Sequence, residues 1–169
     1  MKYVLGLLCS LATLPGQAAD FRFLDFGDHC QDIVMQERGM GATLESSGHG
    51  RYTFRGTHLQ HPVTIAYECR NERFSRGIFV FEFHDFDAAK RFFNRQKGEF
   101  IAFYGVPDLD QGAAGYADYM ASIGFEIEDA HQYMLGWELP DKNVLFGASP
   151  AAGEAGRALV TVDIAPSQK

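Results

Sequence analysis

The sequence lacks most of what membrane-spanning or nucleic-acid-binding proteins need. After residue 20, no apolar run approaches the roughly 20 residues that cross a bilayer as a helix. Its 15 Lys and Arg residues are outnumbered by 22 Asp and Glu residues, for a net charge of −7, whereas binding to phosphates needs a basic surface. Cysteine is scarce, with three residues in 169. We therefore expect a soluble chain with no membrane span and no nucleic-acid partner.

Recognisable catalytic motifs are missing as well. There is no Gly-x-Ser-x-Gly elbow to activate a serine and no glycine-rich loop to hold a phosphate. Asp108 and Asp110 lie in a stretch that lacks the later acidic ligand of an EF-hand loop. In the pair His84-Asp85, the aspartate is better explained as a helix cap. We predict no catalytic residue and no cofactor, and hence a non-enzymatic protein.

Three histidines provide the only metal-binding alternative. His58 and His61 have a spacing that could hold a metal, and His49 is close in sequence. Zinc needs at least three protein ligands, and no Cys or acidic residue stands at a recognisable offset. We predict no metal site, and a metal-dependent hydrolase is the least favoured alternative.

The first 19 residues have the layout of a secretory signal peptide. A positive start is followed by an apolar stretch over residues 4–14, a proline and a run of small residues. We expect cleavage after Ala18 or Ala19. Residues 20–169 would then be exported as a single domain to the periplasm or out of the cell.

Loss of this segment would leave two cysteines, Cys30 and Cys69. An even count in an oxidising compartment favours a disulfide. A helix from about Cys30 to Arg38, with Asp28 as its N-cap, would turn Cys30 toward the core. Strand alternation after Val63 turns Cys69 inward too. We predict that the two cysteines are bonded and that neither is a catalytic thiol.

Hydrophobic periodicity predicts a small α+β domain. The strongest helix pattern runs from Phe86 to Tyr104 with Asp85 as its cap, and residues 105–118 are expected to form a loop. Strands are predicted over residues 42–46, 51–57, 62–70, 77–84, 133–139, 144–148 and 158–165. The strand at 77–84 is apolar on both faces, which predicts a central strand covered on both sides. We expect an antiparallel sheet of about six to seven strands with two main helices packed on one face and one disulfide.

One loop resembles part of a known family. Residues 46–52 are similar to the Ser-Gly-x-x-Tyr loop of periplasmic lysozyme inhibitors, a polar loop that plugs the cleft of the enzyme they block. Tyr67-Glu68-Cys69 is similar to the Tyr-x-Cys strand of some of these inhibitors. That strand precedes the loop in the family and follows it here, so the resemblance implies a binding loop and not membership.

These observations predict a binding module that acts as an inhibitor or immunity-type protein. Residues 70–97 carry seven Lys and Arg against four Asp and Glu, which suits an acidic patch on a toxin or hydrolase. The predicted contacts lie in a polar loop and a basic hairpin tip: Ser47, Gly48, His49, Arg51, Tyr52, Arg70, Arg73 and Arg76. The alternative is a small-ligand-binding periplasmic protein, with a pocket of aromatic residues between sheet and helix.

Overall fold

The structure is a computed structural model, and it describes residues 19–112, 133–151 and 156–167. It contains two α-helices and eight strands, and the predicted α+β class is confirmed. Residues 119–129, for which no secondary structure is predicted, lie outside these ranges. In chain order the elements are a 3₁₀ turn at Cys30–Asp32, α1 (Ile33–Gly39), β1 (Thr43–Gly48), β2 (Arg51–His58), β3 (His61–Arg70), β4 (Arg73–Phe83), α2 (Phe86–Tyr104), β5 (Leu109–Gln111), β6 (Tyr133–Glu138), β7 (Lys142–Pro150) and β8 (Ala158–Pro166).

All eight strands form one antiparallel sheet, in the order β1-β2-β3-β4-β8-β7-β6-β5. The predicted count of six to seven strands was wrong, because β5 lies inside the expected loop at 105–118. With only Leu109–Gln111, this strand is too short to show an alternating pattern. It is extended because it pairs with β6, where Leu109 lies opposite Gly136.

Within the described residues, one helix followed by four strands occurs twice. α1 precedes β1–β4 and α2 precedes β5–β8, and within each group neighbours in sequence are neighbours in the sheet. The last strands of the two groups, β4 and β8, pair with each other, with Val80 opposite Thr161. The sequence shows no convincing repeat, so the duplication is visible only in the topology.

Both helices pack on the same face of the sheet, as predicted. Phe79 and Phe81 of β4 are buried on this face, where α2 contacts β4, β7 and β8 and α1 contacts β1. We call the opposite side the open face. Ile78 and Val80 lie there half-buried, and no helix of the described ranges covers them. The expectation that β4 is covered on both sides is therefore not met by the described residues.

The ends of the two helices follow different local signals. Asp85 caps α2 as predicted, because its Oδ1 accepts the Ala88 N–H at 2.6 Å. Gly105, with φ of 90°, follows the last residue of α2. The predicted capping role of Asp28 was wrong, since its carboxylate accepts the Asp25 N–H at 3.0 Å within the preceding turn.

The segment before α1 is fastened to the sheet in two ways. The predicted Cys30–Cys69 disulfide joins the 3₁₀ turn to β3. Phe21 lies against Gly77 of β4, where a Cβ atom would come within 2.2 Å of its ring. Glycine is needed at this position because no side chain fits beneath the ring.

A buried charge cluster fixes α1 to the same region. The Glu37 carboxylate is fully buried. It accepts hydrogen bonds from Arg22, whose Nη2 lies 3.1 Å from Oε2, and from the Tyr67 hydroxyl. Burial, followed by the bond to Glu37, raises the pKa of Tyr67 above its ordinary value. The phenol therefore stays protonated and remains a donor to this carboxylate.

Candidate functional site

Two of the segments predicted to contact a partner meet at one end of the sheet. The β1–β2 turn and the β3–β4 turn both project from this end. The Cys69 N–H donates to the Gly50 carbonyl at 2.6 Å, which holds the turns side by side. We call the surface formed by residues 47–52 and 70–73 the hairpin end.

Both turns of the hairpin end have a fixed backbone. Their central residues have positive φ: 50° and 74° at His49 and Gly50, and 50° and 63° at Asn71 and Glu72. Positive φ at both central positions is the signature of the type I′ turn, whose twist matches that of the flanking strands. A Cβ atom at Gly50 would lie 2.3 Å from the Cys69 carbonyl oxygen. Glycine is thus required where the two turns touch.

The N-terminal segment supports the hairpin end from one side. The Cys30 N–H donates to the Glu72 carbonyl at 2.9 Å, and the Phe74 N–H donates to the Asp28 carbonyl at 2.8 Å. Arg73 donates from Nη1 to the Gly27 carbonyl at 2.7 Å. The Arg73 side chain therefore anchors this segment, a role that the sequence did not indicate.

The other predicted contact residues fall into three groups. The exposed ones lie on the two turns: Ser47, Gly48, His49, Arg51 and Arg70. Tyr52 is half-buried and lies opposite Tyr67 in the sheet. Arg76 lies away from the tip, on the open face of β4. The structure thus brings the turn residues together with Arg70 and Arg73, and it places Arg76 further along the strand.

Arg76 belongs to a row of ion pairs that crosses the open face. Its Nε donates to Asp163 Oδ1 at 2.8 Å, and its Nη1 lies 3.7 Å from Glu68 Oε2. The hydrogen bonds to Asp163, followed by the two negative charges, raise the pKa of the Arg76 guanidinium. Arg51 is more loosely paired, at 4.0 Å from Glu68. Because Arg76 is neutralised within the chain, the positive charge of the hairpin end comes from Arg51, Arg70 and Arg73.

A cavity opens beside the disulfide at the hairpin end. Its volume is about 590 Å³, and its walls include His29, His49, Tyr52 and Glu72 together with the disulfide itself. The walls carry both hydrogen-bond donors and acceptors, which suits an inserted side chain of a partner better than an apolar ligand.

A second concavity lies on the helix-covered face, between α2 and the β2–β3 turn. We call it the helix–turn groove, and its volume is about 930 Å³. Its apolar lining includes Phe79, Val162 and Ile164 from the sheet with Phe100 and Tyr104 from α2. Its polar lining comes from the β2–β3 turn and from α2: His58, Gln60, His61, Arg95, Gln96 and Glu99.

The three histidines of the metal alternative do not converge. His49 lies in the β1–β2 turn, whereas His58 and His61 lie at the other end of the eight-residue strand β2. The His58 ring stacks on Phe79, with centroids 4.5 Å apart. Burial, followed by the charge of Arg22, lowers the pKa of His58. Within the described ranges no three His, Cys, Asp or Glu residues are grouped closely enough to hold a metal ion.

From the sequence, an aromatic pocket was expected only as the alternative to a protein-binding surface. The polar residues that line the groove were not predicted. Helical spacing places Arg95 on the polar side of α2, which predicts a solvent-exposed side chain and no pocket. The available signal was Gln96, a polar residue that lies at helical spacing between Phe93 and Phe100 on the apolar side of the helix. A buried amide at such a position indicates that something other than core packing is adjacent to it.

Comparisons of the chain with protein-family models, with curated proteins and with solved structures give no match in any of the three. Across residues 19–112, 133–151 and 156–167, no helix combines the length and apolar character that crossing a membrane requires. The hairpin end and the helix–turn groove are therefore the observations from which we infer a function.

Proposed function

We propose that the chain is an exported, non-enzymatic binding module that inhibits or neutralises another protein through its hairpin end. The observation that supports this proposal is the fixed juxtaposition of two exposed turns. The Cys30–Cys69 disulfide and the bond between Cys69 and Gly50 hold them in place. A surface that is ordered before binding loses little conformational entropy on association, which favours tight binding.

The shape and charge of the hairpin end suit a protein partner. Interfaces depend on a few anchor side chains that fill pockets of the opposing surface. The 590 Å³ cavity beside the disulfide is of a size to receive such an anchor. Arg51 and Arg70 are exposed at the strand ends beside the two turns, and their charges complement an acidic patch on the partner.

Affinity capture from extract of the producing cells tests the proposal. The immobilised domain should retain a specific protein, and the variant Arg51→Glu/Arg70→Glu should lose it. The matched control is Arg38→Glu/Arg91→Glu, which makes the same charge change at exposed sites on α1 and α2. Equal recovery by both double variants would refute the hairpin end as the contact surface.

Export is part of the same proposal. The predicted cleavage after Ala18 or Ala19 would place the new terminus beside Asp20, whose N–H donates to Asp25 Oδ1 at 3.1 Å. The disulfide suits an oxidising compartment. Intact mass measurement on protein from the producing cells should show loss of the first 18 or 19 residues. A full-length chain recovered with free thiols would contradict export.

The helix–turn groove favours a second candidate function, the binding of a small ligand. Its volume of about 930 Å³ falls within the usual range of ligand pockets. Apolar walls with a few convergent polar groups are also typical of such pockets. Thermal-shift screening tests this candidate, because a ligand that binds only the folded state raises the melting temperature.

A further inference from the structure

We propose that the helix–turn groove takes a small amphipathic anion, a monocarboxylate with an apolar chain. This inference rests on the second candidate function above and names its ligand class. It follows from a cation that has no carboxylate partner in the described residues, a side-chain amide that opens to the groove, and an apolar floor, all in the same concavity.

The cation is Arg95. Its Nη2 reaches from α2 to the β2–β3 turn and lies 3.1 Å from His61 Nε2. The Arg95 guanidinium also lies 5.5 Å from the centre of the Phe92 ring. In the described part of the chain Arg95 forms no ion pair with a carboxylate, so its charge is available to a ligand carboxylate.

The amide is that of Gln96. This side chain is 9% exposed, and it lines the groove. Its amide forms no hydrogen bond with the described residues, and its polar atoms stay accessible from the groove. A ligand oxygen beside Arg95 would accept from its N–H donors in place of water. The two neighbouring residues can therefore donate to the same carboxylate.

The apolar floor accounts for the remainder of the ligand. Phe79, Val162 and Ile164 form a continuous apolar surface that leads from the histidine turn toward Phe100 and Tyr104 at the end of α2. An alkyl chain that lies along this floor leaves water without needing further polar contacts. The Leu59–Gln60 turn forms part of the rim, and both residues have positive φ, 49° and 62°.

Glu99 restricts the charge of the ligand. It lines the groove one helical turn beyond Arg95 and is exposed. Its carboxylate repels a second negative charge placed along the chain, which favours a monoanion with its charge at the Arg95 end. Removing Glu99 should strengthen anion binding, whereas removing Arg95 should weaken it.

Titration calorimetry with laurate, dodecanol and dodecylamine tests the ligand class. Laurate should bind more tightly than either of the others. Arg95→Gln should weaken laurate binding at least about tenfold and leave dodecanol within about twofold, since only the carboxylate uses the guanidinium. Glu99→Gln should strengthen laurate binding several-fold. Arg91→Gln, at an exposed site on α2 outside the groove, is the matched control and should change nothing.

Gln96→Leu separates a ligand contact from a structural role. Water reaches this amide in the free protein, so its loss should leave the melting temperature near that of the wild type, while loss of its donor should weaken laurate binding several-fold. Tighter binding of dodecylamine than of laurate, or no effect of Arg95→Gln, would overturn the assignment of an anion and leave small-ligand binding standing. Absence of binding for all three probes would overturn both.

Discussion

Reduction of the Cys30–Cys69 disulfide removes the one covalent cross-link between the N-terminal segment and the sheet in the described part of the chain. The two cysteines are 39 residues apart. The chain-entropy model assigns a cross-link of this loop length about 4 kcal/mol at 25 °C. Unfolding entropy is about 2.1 cal/mol/K per residue, so in a domain of about 150 residues this loss corresponds to a fall in Tm of about 10–15 °C.

Scanning calorimetry on the domain comprising residues 20–169 measures this fall. Three samples are compared: the oxidised protein, the same protein in reductant, and the variant Cys30→Ala/Cys69→Ala. The second and third should melt within a few degrees of each other, because both lack the cross-link. Reductant added to the double variant is the control for non-specific effects and should not change its Tm.

A fall of less than about 3 °C in both the reduced protein and the variant would refute the reasoning. It would mean that the hydrogen bonds at the hairpin end hold the N-terminal segment without the disulfide. Thiol titration in denaturant without reductant gives an independent check. It should find no free sulfhydryl in protein that lacks the first 19 residues.

Three further predictions concern the groove and the sheet, and the last has a control in α2. Leu59→Asn/Gln60→Gly should stabilise the fold by about 1–2 kcal/mol, measured by urea denaturation, because both residues have positive φ and Asn-Gly is the preferred pair in a type I′ turn. The pKa of His58 is lowered in the folded state. As the pH falls below about 6.5, His58 becomes protonated in the unfolded chain before it does in the folded one. The free energy of unfolding therefore decreases as the pH falls toward the folded-state pKa. His58→Phe keeps the aromatic stack and should therefore lose less stability than the wild type between pH 7.5 and 5.5. Gly77→Ala should destabilise by about 1–3 kcal/mol, because the methyl group collides with the ring above it. Gly98→Ala, at a helix site with nothing within 4 Å, should instead stabilise by about 0.5–1 kcal/mol.

Each of these predictions has a contrary outcome. Loss of stability in the Asn-Gly variant would show that packing of the Leu59 side chain outweighs the backbone strain of its turn. Identical pH profiles for His58→Phe and the wild type would show that His58 ionises equally in the folded and unfolded states. A Gly77→Ala variant as stable as the wild type would mean that the N-terminal segment does not lie against β4 as described.

Local signals were sufficient to predict α2 and most strands. Asp85 before an apolar pattern and Gly105 after it specify both ends of α2, and alternation specified β3 and β4 within a few residues. Such signals depend on near neighbours in the sequence. They failed at Asp28, because its carboxylate could cap the following helix or accept a hydrogen bond within the preceding turn, and it accepts the Asp25 N–H.

Features that depend on distant residues could not be predicted. The pairing of β4 with β8 joins residues 75 to 87 positions apart, such as Val80 and Thr161. The strand β5 exists only through its pairing with β6. The helix–turn groove requires α2 and the β2–β3 turn to face each other, and no periodicity within either element specifies that arrangement. The pairing of Arg76 with Asp163 could not be predicted either, because the two residues are distant in the sequence.

Site-specific photo-crosslinking in the producing cells gives the most direct test of a protein-binding hairpin end. A photoreactive phenylalanine analogue is placed at His49 in one variant and at Arg91 in the other, both exposed positions. We expect a discrete crosslinked product from the exported His49 variant and none from the Arg91 variant. No product at position 49, or the same product at both positions, would contradict the proposed binding surface.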